Sequence, residues 1–164
     1  MKAIAAVDLN WGIGYQGNLL AHIPDDMKFF KQTTLNKVVV MGRETFESLP
    51  GKQPLKERIN IVLSKSATFD DEHIIVCHSL EELFIELKKY PADDIFVIGG
   101  ESIYSQLLPY CNEVFITKIE KSYQADKYFI NLDENKSWKP VYESEIQNYK
   151  DVKYKFIKYV NCKY

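Results

Sequence analysis

"VVVMGRETF", residues 38–46, and "IFVIGGESIY", residues 95–104, follow one pattern: a short apolar run, then glycine, then the start of a helical pattern. Apolar runs rich in Val and Ile are typical of strands that are covered on both faces. A strand that passes through glycine directly into a helix is typical of α/β architecture with parallel strands. The two stretches therefore predict a central parallel sheet.

Other parts of the chain continue this alternation of strand and helix. Three further strand-like runs are "KAIAAVDL" (2–9), "RINIVLS" (58–64) and "HIIVC" (73–77). Helical patterns lie at 25–34, 44–49, 79–90 and 101–108. Ser79 is the predicted N-cap of the third helix, with Glu82 three residues on, and Pro109 ends the fourth.

The pattern changes after residue 112, where strand-like runs follow one another without helices. These runs are "EVFITKIEKSY" (113–123), "KPVYESEIQNY" (139–149) and "KYKFIKYVNC" (153–162). The last two are separated near Lys150 and Asp151, so we expect them to form an antiparallel hairpin at the sheet edge. The predicted fold is α/β, with a central mostly parallel eight-stranded sheet, an antiparallel C-terminal hairpin and four flanking helices, in a single domain over residues 1–164.

Composition excludes several classes of protein. The 164 residues are 46% hydrophobic, enough for one core, and the net charge of -2 is spread along the chain without a basic stripe for nucleic acid or an anionic membrane. The three cysteines, Cys77, Cys111 and Cys162, are too widely spaced for a disulfide framework or a structural zinc site. The N-terminal apolar run is too short for a signal peptide, so we expect a cytoplasmic protein.

"HIPDDMKFFKQTT" (22–34) contains an acidic residue in an unusual position. At about 100° per helical residue, Asp25 lies with the lysines, whereas Asp26 lies in the middle of an apolar half formed by Ile23, Met27, Phe29, Phe30 and Thr33. A carboxylate that faces apolar neighbours must be paired, protonated or kept for a ligand. The alternative role, a charge at the helix N-terminus worth about 0.3–1 kcal/mol, stays open.

The glycines after the strands also admit two interpretations. A helix that begins after Gly42, or after Gly99 and Gly100, presents free N–H groups that favour phosphate, and two such positions suit a dinucleotide. Glycine at these places can also simply turn the chain, although Arg43 favours the phosphate interpretation. The glycine-rich segment "NWGIGYQGNLLAHIP" (10–24) is either a functional lid or a plain surface connection.

Metal and nucleophile motifs do not occur in the chain. His22, His73 and His78 have no metal-binding spacing and are expected on the surface or in loops, and no G-x-S-x-G motif occurs. No metal site is predicted.

Taken together, the motifs resemble one known family over essentially the whole length. The stretches that carry the resemblance, in matching order and spacing, are "AIAAVD", "GIG", "IPDDMKFFKQTT", "VVVMGRETFESL", "RINIVLS", "VIGGESIYSQLLP" and "ITKIE…AD". This sequence resembles dihydrofolate reductase of the bacterial chromosomal type. The resemblance implies NADPH-dependent reduction of 7,8-dihydrofolate to tetrahydrofolate, which supplies one-carbon carriers for thymidylate, purine and amino-acid synthesis. It also implies a monomer that binds antifolate inhibitors.

The resemblance implies roles for individual residues in the substrate cleft. Asp26 corresponds to the carboxylate that accepts hydrogen bonds from the 2-amino group and ring N–H of the pterin, and Thr117 hydrogen-bonds it. Leu19 completes the catalytic set, and Arg58 grips the α-carboxylate of the glutamate tail. The other implied substrate-binding residues are Ile4, Ala5, Met27, Phe30, Leu49, Leu55, Ile98 and Tyr104.

The resemblance also implies an NADPH site. Its residues are Ala6, Ile13, Gly14, Leu19, Gly42, Arg43, Glu44, Thr45, Leu63, Ser64, Lys65, Ile98, Gly99, Gly100, Glu101, Ser102, Ile103, Tyr104 and Asp126. Within this set, Arg43, Ser64 and Lys65 are expected to meet the adenosine 2′-phosphate. The family joins the pair that matches Gly99 and Gly100 by a cis peptide.

Some positions depart from the family pattern. Leu20 and Ala21 stand where the family usually has Pro and Trp, and loss of the Trp is expected to enlarge the pocket beside the pterin. Glu44 and Ser102 weaken the expected anion site, because several relatives carry a neutral or basic group in place of Glu44 and some carry Arg in place of Ser102. Two frequent glycines are replaced by Glu101 and Ala125, to which the sequence assigns no role.

Two other functions fit parts of the pattern. The reductase of riboflavin biosynthesis shares the fold, but the combination of Asp26, Phe30 and Arg58 favours a folate cleft. A nucleotide-binding module without catalysis would leave Asp26 without a use on its apolar face.

Overall fold

The computed structural model describes residues 1–164, with four α-helices and twelve strands. The helices are α1 (Pro24–Thr34), α2 (Arg43–Ser48), α3 (Leu80–Leu87) and α4 (Glu101–Leu107). The strands are β1 (Lys2–Val7), β2 (Gly12–Tyr15), β3 (Asn18–Leu19), β4 (Val38–Gly42), β5 (Ile59–Leu63), β6 (Ile74–Cys77), β7 (Ile95–Gly99), β8 (Glu113–Ile119), β9 (Lys127–Tyr128), β10 (Trp138–Glu143), β11 (Gln147–Tyr149) and β12 (Val152–Asn161).

Eight strands of the central sheet follow the order β10-β12-β8-β1-β7-β4-β5-β6, and β11 joins the same sheet as a ninth strand by pairing with β12. The six strands from β8 to β6 are parallel to their neighbours, and β12 and β10 are antiparallel. Val39, Val40 and Met41 of β4 are completely buried, as expected for a strand covered on both faces. The α/β fold class is therefore confirmed.

The C-terminal strands differ in detail from the prediction. Residues 150–151 do turn the chain, since Tyr149 of β11 pairs with Val152 of β12. The expected single strand over 139–149 is wrong, because it divides into β10 and β11, which both pair with β12. The division falls at Ser144, whose N–H donates to the Phe156 carbonyl and whose hydroxyl accepts from the Phe156 N–H at 2.9 Å. Consequently β10 and β11 together form this edge of the sheet, and β12 lies inside it.

The helices follow the predicted ranges to within a few residues. The Ser79 hydroxyl accepts from the Glu82 N–H at 3.1 Å, which confirms the N-cap of α3. The Glu82 carboxylate accepts from the N–H of His78, one residue earlier than a capping box requires. The helix ends at Leu87 instead of residue 90, because a tighter turn from Leu87 to Tyr90 follows.

The glycine-rich segment 10–24 is more ordered than a plain loop. It contains β2 and β3, which join β9 in a small antiparallel sheet of order β3-β2-β9. We call this three-stranded sheet the lid sheet. Its strands have two to four residues, too few for a period-2 hydrophobic pattern to be visible in the sequence.

The buried carboxylate of Asp8 anchors the base of the lid sheet. One oxygen, Oδ1, accepts from the N–H groups of Asn10 and Gly12 at 2.9 and 2.8 Å, and Oδ2 accepts from the Tyr123 N–H at 2.9 Å. A Cβ at Gly12 would lie 2.7 Å from the Cβ of Ala125, so this glycine makes room for the alanine. The Ala125 departure is therefore accommodated by close packing on Gly12.

Asp8→Ala should destabilise the protein, because three backbone donors lose their acceptor and the N–H of Gly12 is buried. We expect the free energy of unfolding in a denaturant titration to fall by about 2–3 kcal/mol. Asp8→Asn is the matched control, since it keeps one acceptor oxygen and should lose less. Equal stability of Asp8→Ala and the wild type would contradict this role.

Candidate active site

A cleft of about 700 Å³ opens where β4 and β7 end in Gly42 and Gly99. The helices α2 and α4 begin at the same edge of the sheet. Ligands of open α/β sheets bind outside the carboxyl ends of the strands. The volume is within the range of small-molecule sites.

The glycines leave bare backbone on the wall of the cleft. Gly99 and Gly100 are joined by a cis peptide, as the resemblance implies, and Gly99 has a φ of 125°. A Cβ at Gly99 would lie 3.3 Å from the Tyr104 ring, and one at Gly100 would lie 3.3 Å from Thr45 Oγ1. A larger residue at either position would therefore fill space in the cleft that the two glycines leave open.

Tyr104 ties this edge of the sheet to β1. Its hydroxyl donates to the Ile4 carbonyl at 2.6 Å, and burial raises the pKa of Tyr104 above its usual range. The phenol is therefore a neutral structural donor.

The cleft gathers nearly all of the predicted cofactor residues. Those that line it are Ala6, Ile13, Gly14, Leu19, Gly42, Arg43, Glu44, Thr45, Leu63, Lys65, Ile98, Gly99, Gly100, Glu101, Ser102, Ile103 and Tyr104. Two lie outside this lining: Ser64, whose hydroxyl accepts from the Ala67 N–H, and Asp126, whose carboxylate accepts from the Gln16 N–H.

Sequence reasoning missed several lining residues. They are Tyr15, Gly17, Asn18, Ser48 and Lys127. Most belong to the lid sheet or its turn. Lys127 lies on a two-residue exposed strand, which gives no periodic signal in the sequence.

Charges of both signs line the cleft. The cations are Arg43, Lys65 and Lys127, and the anions are Glu44 and Glu101. Arg43 Nη1 lies 3.7 Å from Glu47 Oε1, but both side chains are about half exposed and such pairs are weak. Lys65 and Lys127 have no ion-pair partner within 4.0 Å.

Asp26 lies in the first turn of α1, half-buried. Thr117 on β8, which is 2% exposed, donates its hydroxyl to Asp26 Oδ1 at 2.6 Å. Burial raises the pKa of Asp26, and the hydrogen bond from Thr117 opposes this shift. No basic side chain of the protein pairs with this carboxylate. Asp26 is therefore a desolvated acid without a counter-ion.

Asp25 makes a contact within the protein in addition to the predicted exposure to solvent. Its Oδ2 accepts a hydrogen bond from the hydroxyl of Tyr154 at 3.0 Å. Tyr154 is 1% exposed, and burial together with Asp25 raises its pKa to about 12. The sequence could not show this contact, because 129 positions separate the two residues. Asp25 thus fixes the start of α1 to β12.

Arg58 is held near the other end of α1. Its Nη1 donates to Thr34 Oγ1 at 3.2 Å, and its Nε donates to the Lys56 carbonyl at 2.8 Å. The buried Asn60 side chain fixes this loop through both backbone groups of Leu55. Burial lowers the pKa of Arg58, and no carboxylate lies within ion-pair distance.

The remaining predicted substrate residues differ in exposure. Ile4 is 5% exposed, Ala5 lines the cleft, and Phe30 is half-buried. Leu49, Leu55 and Ile98 pack against the buried cluster of Val39, Met41, Phe46 and Val62. Met27 is 44% exposed, although the helical pattern placed it on the apolar half.

Ala21 packs against a second buried cluster. That cluster comprises Ile23, Ile119 and Tyr154, with Tyr123 and Tyr149 at its margin. Enlargement of the pocket at the missing Trp stays a prediction.

Other chemistry-bearing residues lie apart from the cleft. His22, His73 and His78 are exposed, and no group of three or more His, Cys, Asp or Glu residues has metal-binding geometry. All three cysteines are free. None of the helices combines the length and apolar character needed to span a bilayer.

Comparison with known proteins identifies the family. The family model described as dihydrofolate reductase matches residues 1–161. The dihydrofolate reductase of Bacillus subtilis is 36% identical over 160 residues, covering 95% of this chain and 91% of that protein. The bifunctional dihydrofolate reductase-thymidylate synthase of Daucus carota is 35% identical, with 99% of this chain covered but only 34% of the relative. The chain thus spans about a third of such bifunctional relatives.

A solved structure shows the same fold. A dihydrofolate reductase from Enterococcus faecalis, complexed with NADP(H) and RAB-propyl, aligns with a TM-score of 0.85 and 32% identity. The alignment covers 98% of this chain and 95% of that one. The chain belongs to the dihydrofolate reductase family.

Proposed function

We propose that this protein, as a single domain, catalyses the NADPH-dependent reduction of 7,8-dihydrofolate to 5,6,7,8-tetrahydrofolate. The observation that carries the proposal is Asp26, a desolvated carboxylate hydrogen-bonded to Thr117 and unpaired by any cation of the chain. A pterin supplies two N–H donors in a fork, which offsets the cost of burying that charge.

The two ends of α1 match the two ends of the substrate. Asp26 lies in the first turn and Thr34, which accepts from Arg58, is the last residue. Eight residues of helix span about 12 Å. A carboxylate for the pterin is thus carried at one end of a rigid helix, and a guanidinium for the glutamate tail is hydrogen-bonded to its other end. Ala5, Phe30, Leu49, Leu55 and Ile98 supply the apolar surface between them.

The cleft fits a dinucleotide. Bare backbone at Gly42, Gly99 and Gly100 permits close approach of a ligand. The volume of the cleft suits an extended molecule. Arg43 and Lys65 follow the adjacent strands β4 and β5, where they form a cationic end for the 2′-phosphate. NADPH, when bound, supplies the hydride that reduces the pterin.

The protein's own groups prepare the substrate for this transfer. Ionised Asp26 orients the ring and favours positive charge at N5, to which water delivers a proton. Thr117 holds Asp26 Oδ1 and so fixes the carboxylate in one orientation. Leu19, on β3 of the lid sheet, is 55% exposed and lines the cleft. In this proposal its apolar side chain covers the reacting rings and excludes water.

The cellular setting follows from the same chemistry. Free Cys77, Cys111 and Cys162 suit a reducing compartment, so we place the protein in the cytoplasm. We propose that it acts as a monomer, as the family resemblance implies. Antifolates that present an amino group and a protonated ring nitrogen should compete with the substrate for Asp26.

Asp26→Asn should lower turnover by about 100-fold or more at neutral pH while leaving NADPH affinity nearly unchanged. Asparagine keeps one acceptor but lacks the negative charge that favours protonation of N5. The rate of the variant should keep rising toward acid, where the substrate arrives already protonated, whereas the wild type levels off. Single-turnover hydride transfer, followed by NADPH absorbance across pH, measures both curves.

The same assay separates this function from its alternatives. Wild-type NADPH oxidation with the pyrimidine substrate of riboflavin biosynthesis, but not with dihydrofolate, would indicate the other reductase. Oxidation with neither would indicate a binding module. Parallel pH curves of similar height for the wild type and Asp26→Asn would contradict the role of Asp26.

The 2′-phosphate is the group that separates NADPH from NADH, so cofactor preference tests Arg43 and Lys65. The double variant Arg43→Ala, Lys65→Ala should lose the preference for NADPH because both facing cations are removed. Ratios of kcat/KM for the two cofactors give the measurement. Equal use of both cofactors by the wild type would show that the negative charge of Glu44 cancels the attraction of Arg43 and Lys65 for the 2′-phosphate.

A further inference from the structure

Lys127 is the one cation of the cleft to which the proposed function has given no role. It is exposed, lines the cleft and has no ion-pair partner. It lies on β9 of the lid sheet, where its partner is Gly14 of β2. The lid sheet therefore places Lys127 on the wall of the cleft.

A hydrogen bond fixes this strand to the start of α4, which follows β7. The Glu101 carboxylate, in the first residue of α4, accepts from the backbone N–H of Tyr128 at 3.2 Å. Because Tyr128 adjoins Lys127, the contact holds the lysine beside the segment that follows β7. We call this contact the Glu101–Tyr128 strap.

The cations of the cleft therefore fall into two groups. Arg43 and Lys65 follow β4 and β5, which pair directly, whereas the strap places Lys127 on the side of β7. An NADPH molecule likewise carries two separate anionic groups, the 2′-phosphate and the diphosphate. Ser102, which lines the cleft in the first turn of α4, is uncharged and leaves Lys127 as the cation on this side.

We propose that Lys127 supplies the cationic contact to the cofactor diphosphate, and that Glu101 is the positioning residue that holds it there. This inference rests on the proposed use of NADPH. It also gives a role to the departure at Glu101, whose carboxylate acts as a backbone acceptor in the strap. The lid sheet thus contributes charge to the site as well as cover.

Substitution of Lys127 tests the first part through binding, without turnover. Lys127→Gln should weaken the binding of NADPH and of NADH by the same factor, because both carry the diphosphate. The expected factor is about fivefold, which is the most that an exposed ion pair usually contributes. Affinity for adenosine 2′-monophosphate, which lacks the diphosphate, should not change. Titration by calorimetry measures all three, and added salt should reduce the difference from the wild type.

Matched variants show whether charge at this position is the cause. Lys127→Arg should bind within about twofold of the wild type. Lys121→Gln removes the same charge from an exposed lysine outside the cleft and should have no effect. Unchanged binding of both dinucleotides by Lys127→Gln would overturn the proposal. Weakening of NADPH alone would also overturn it, because it would place Lys127 at the 2′-phosphate.

Two Glu101 variants test the strap. Glu101→Gln keeps an acceptor for the Tyr128 N–H and should bind NADPH at least as tightly as the wild type. Glu101→Ala removes the same negative charge together with the acceptor, and should bind about threefold more weakly than Glu101→Gln. Equal affinity of the two variants would overturn the positioning role.

These outcomes are distinct from failure of the proposed function. A wild type that binds both dinucleotides but does not reduce dihydrofolate contradicts the reaction and leaves the Lys127 measurement valid. A wild type that binds neither dinucleotide overturns both proposals.

Discussion

The hydrogen bond from Thr117 to Asp26 is the interaction on which the site depends. It joins β8 to the first turn of α1 and fixes a carboxylate whose pKa burial has raised. A group of this kind costs stability unless something compensates for its lost hydration. The protein gives Asp26 one hydroxyl donor and no cation. The remaining hydrogen-bond donors must therefore come from the ligand. We therefore propose that the protein selects a substrate whose N–H groups donate hydrogen bonds to Asp26.

The rest of the fold holds the surroundings of this carboxylate in place. Tyr154 fixes Asp25, and therefore the start of α1, to β12, while Asn60 and Thr34 position Arg58 near the other end. Tyr104 joins the glycine-rich wall of the cofactor cleft to β1, next to the strand that carries Thr117. Asp8 anchors the lid sheet by accepting hydrogen bonds from the N–H groups of Gly12 and Tyr123. Each connection uses a buried polar side chain, which has one geometry in which its hydrogen bonds are satisfied.

Features that depend on neighbours along the chain could be predicted from the sequence. The strand-to-glycine junctions at Gly42 and Gly99, the Ser79 cap and the inward face of Asp26 follow from spacings of a few residues. The Tyr154–Asp25 contact and the pairing of Gly14 with Lys127 could not, because each joins segments more than 100 positions apart. The sequence did not indicate Lys127 because its two-residue strand, β9, is defined only by pairing with the distant β2.

Direct titration of the Asp26 carboxyl tests the central claim most closely. Carbon-13 NMR of aspartate-labelled protein, with the signal assigned by its loss in Asp26→Asn, reports the pKa with and without a 2,4-diaminopyrimidine inhibitor. We predict a pKa of Asp26 above the ordinary aspartate value of about 3.9 in the free protein. Once the cationic inhibitor is bound, the Asp26 carboxylate should stay ionised to lower pH. An ordinary pKa in the free protein that the inhibitor leaves unchanged would contradict it.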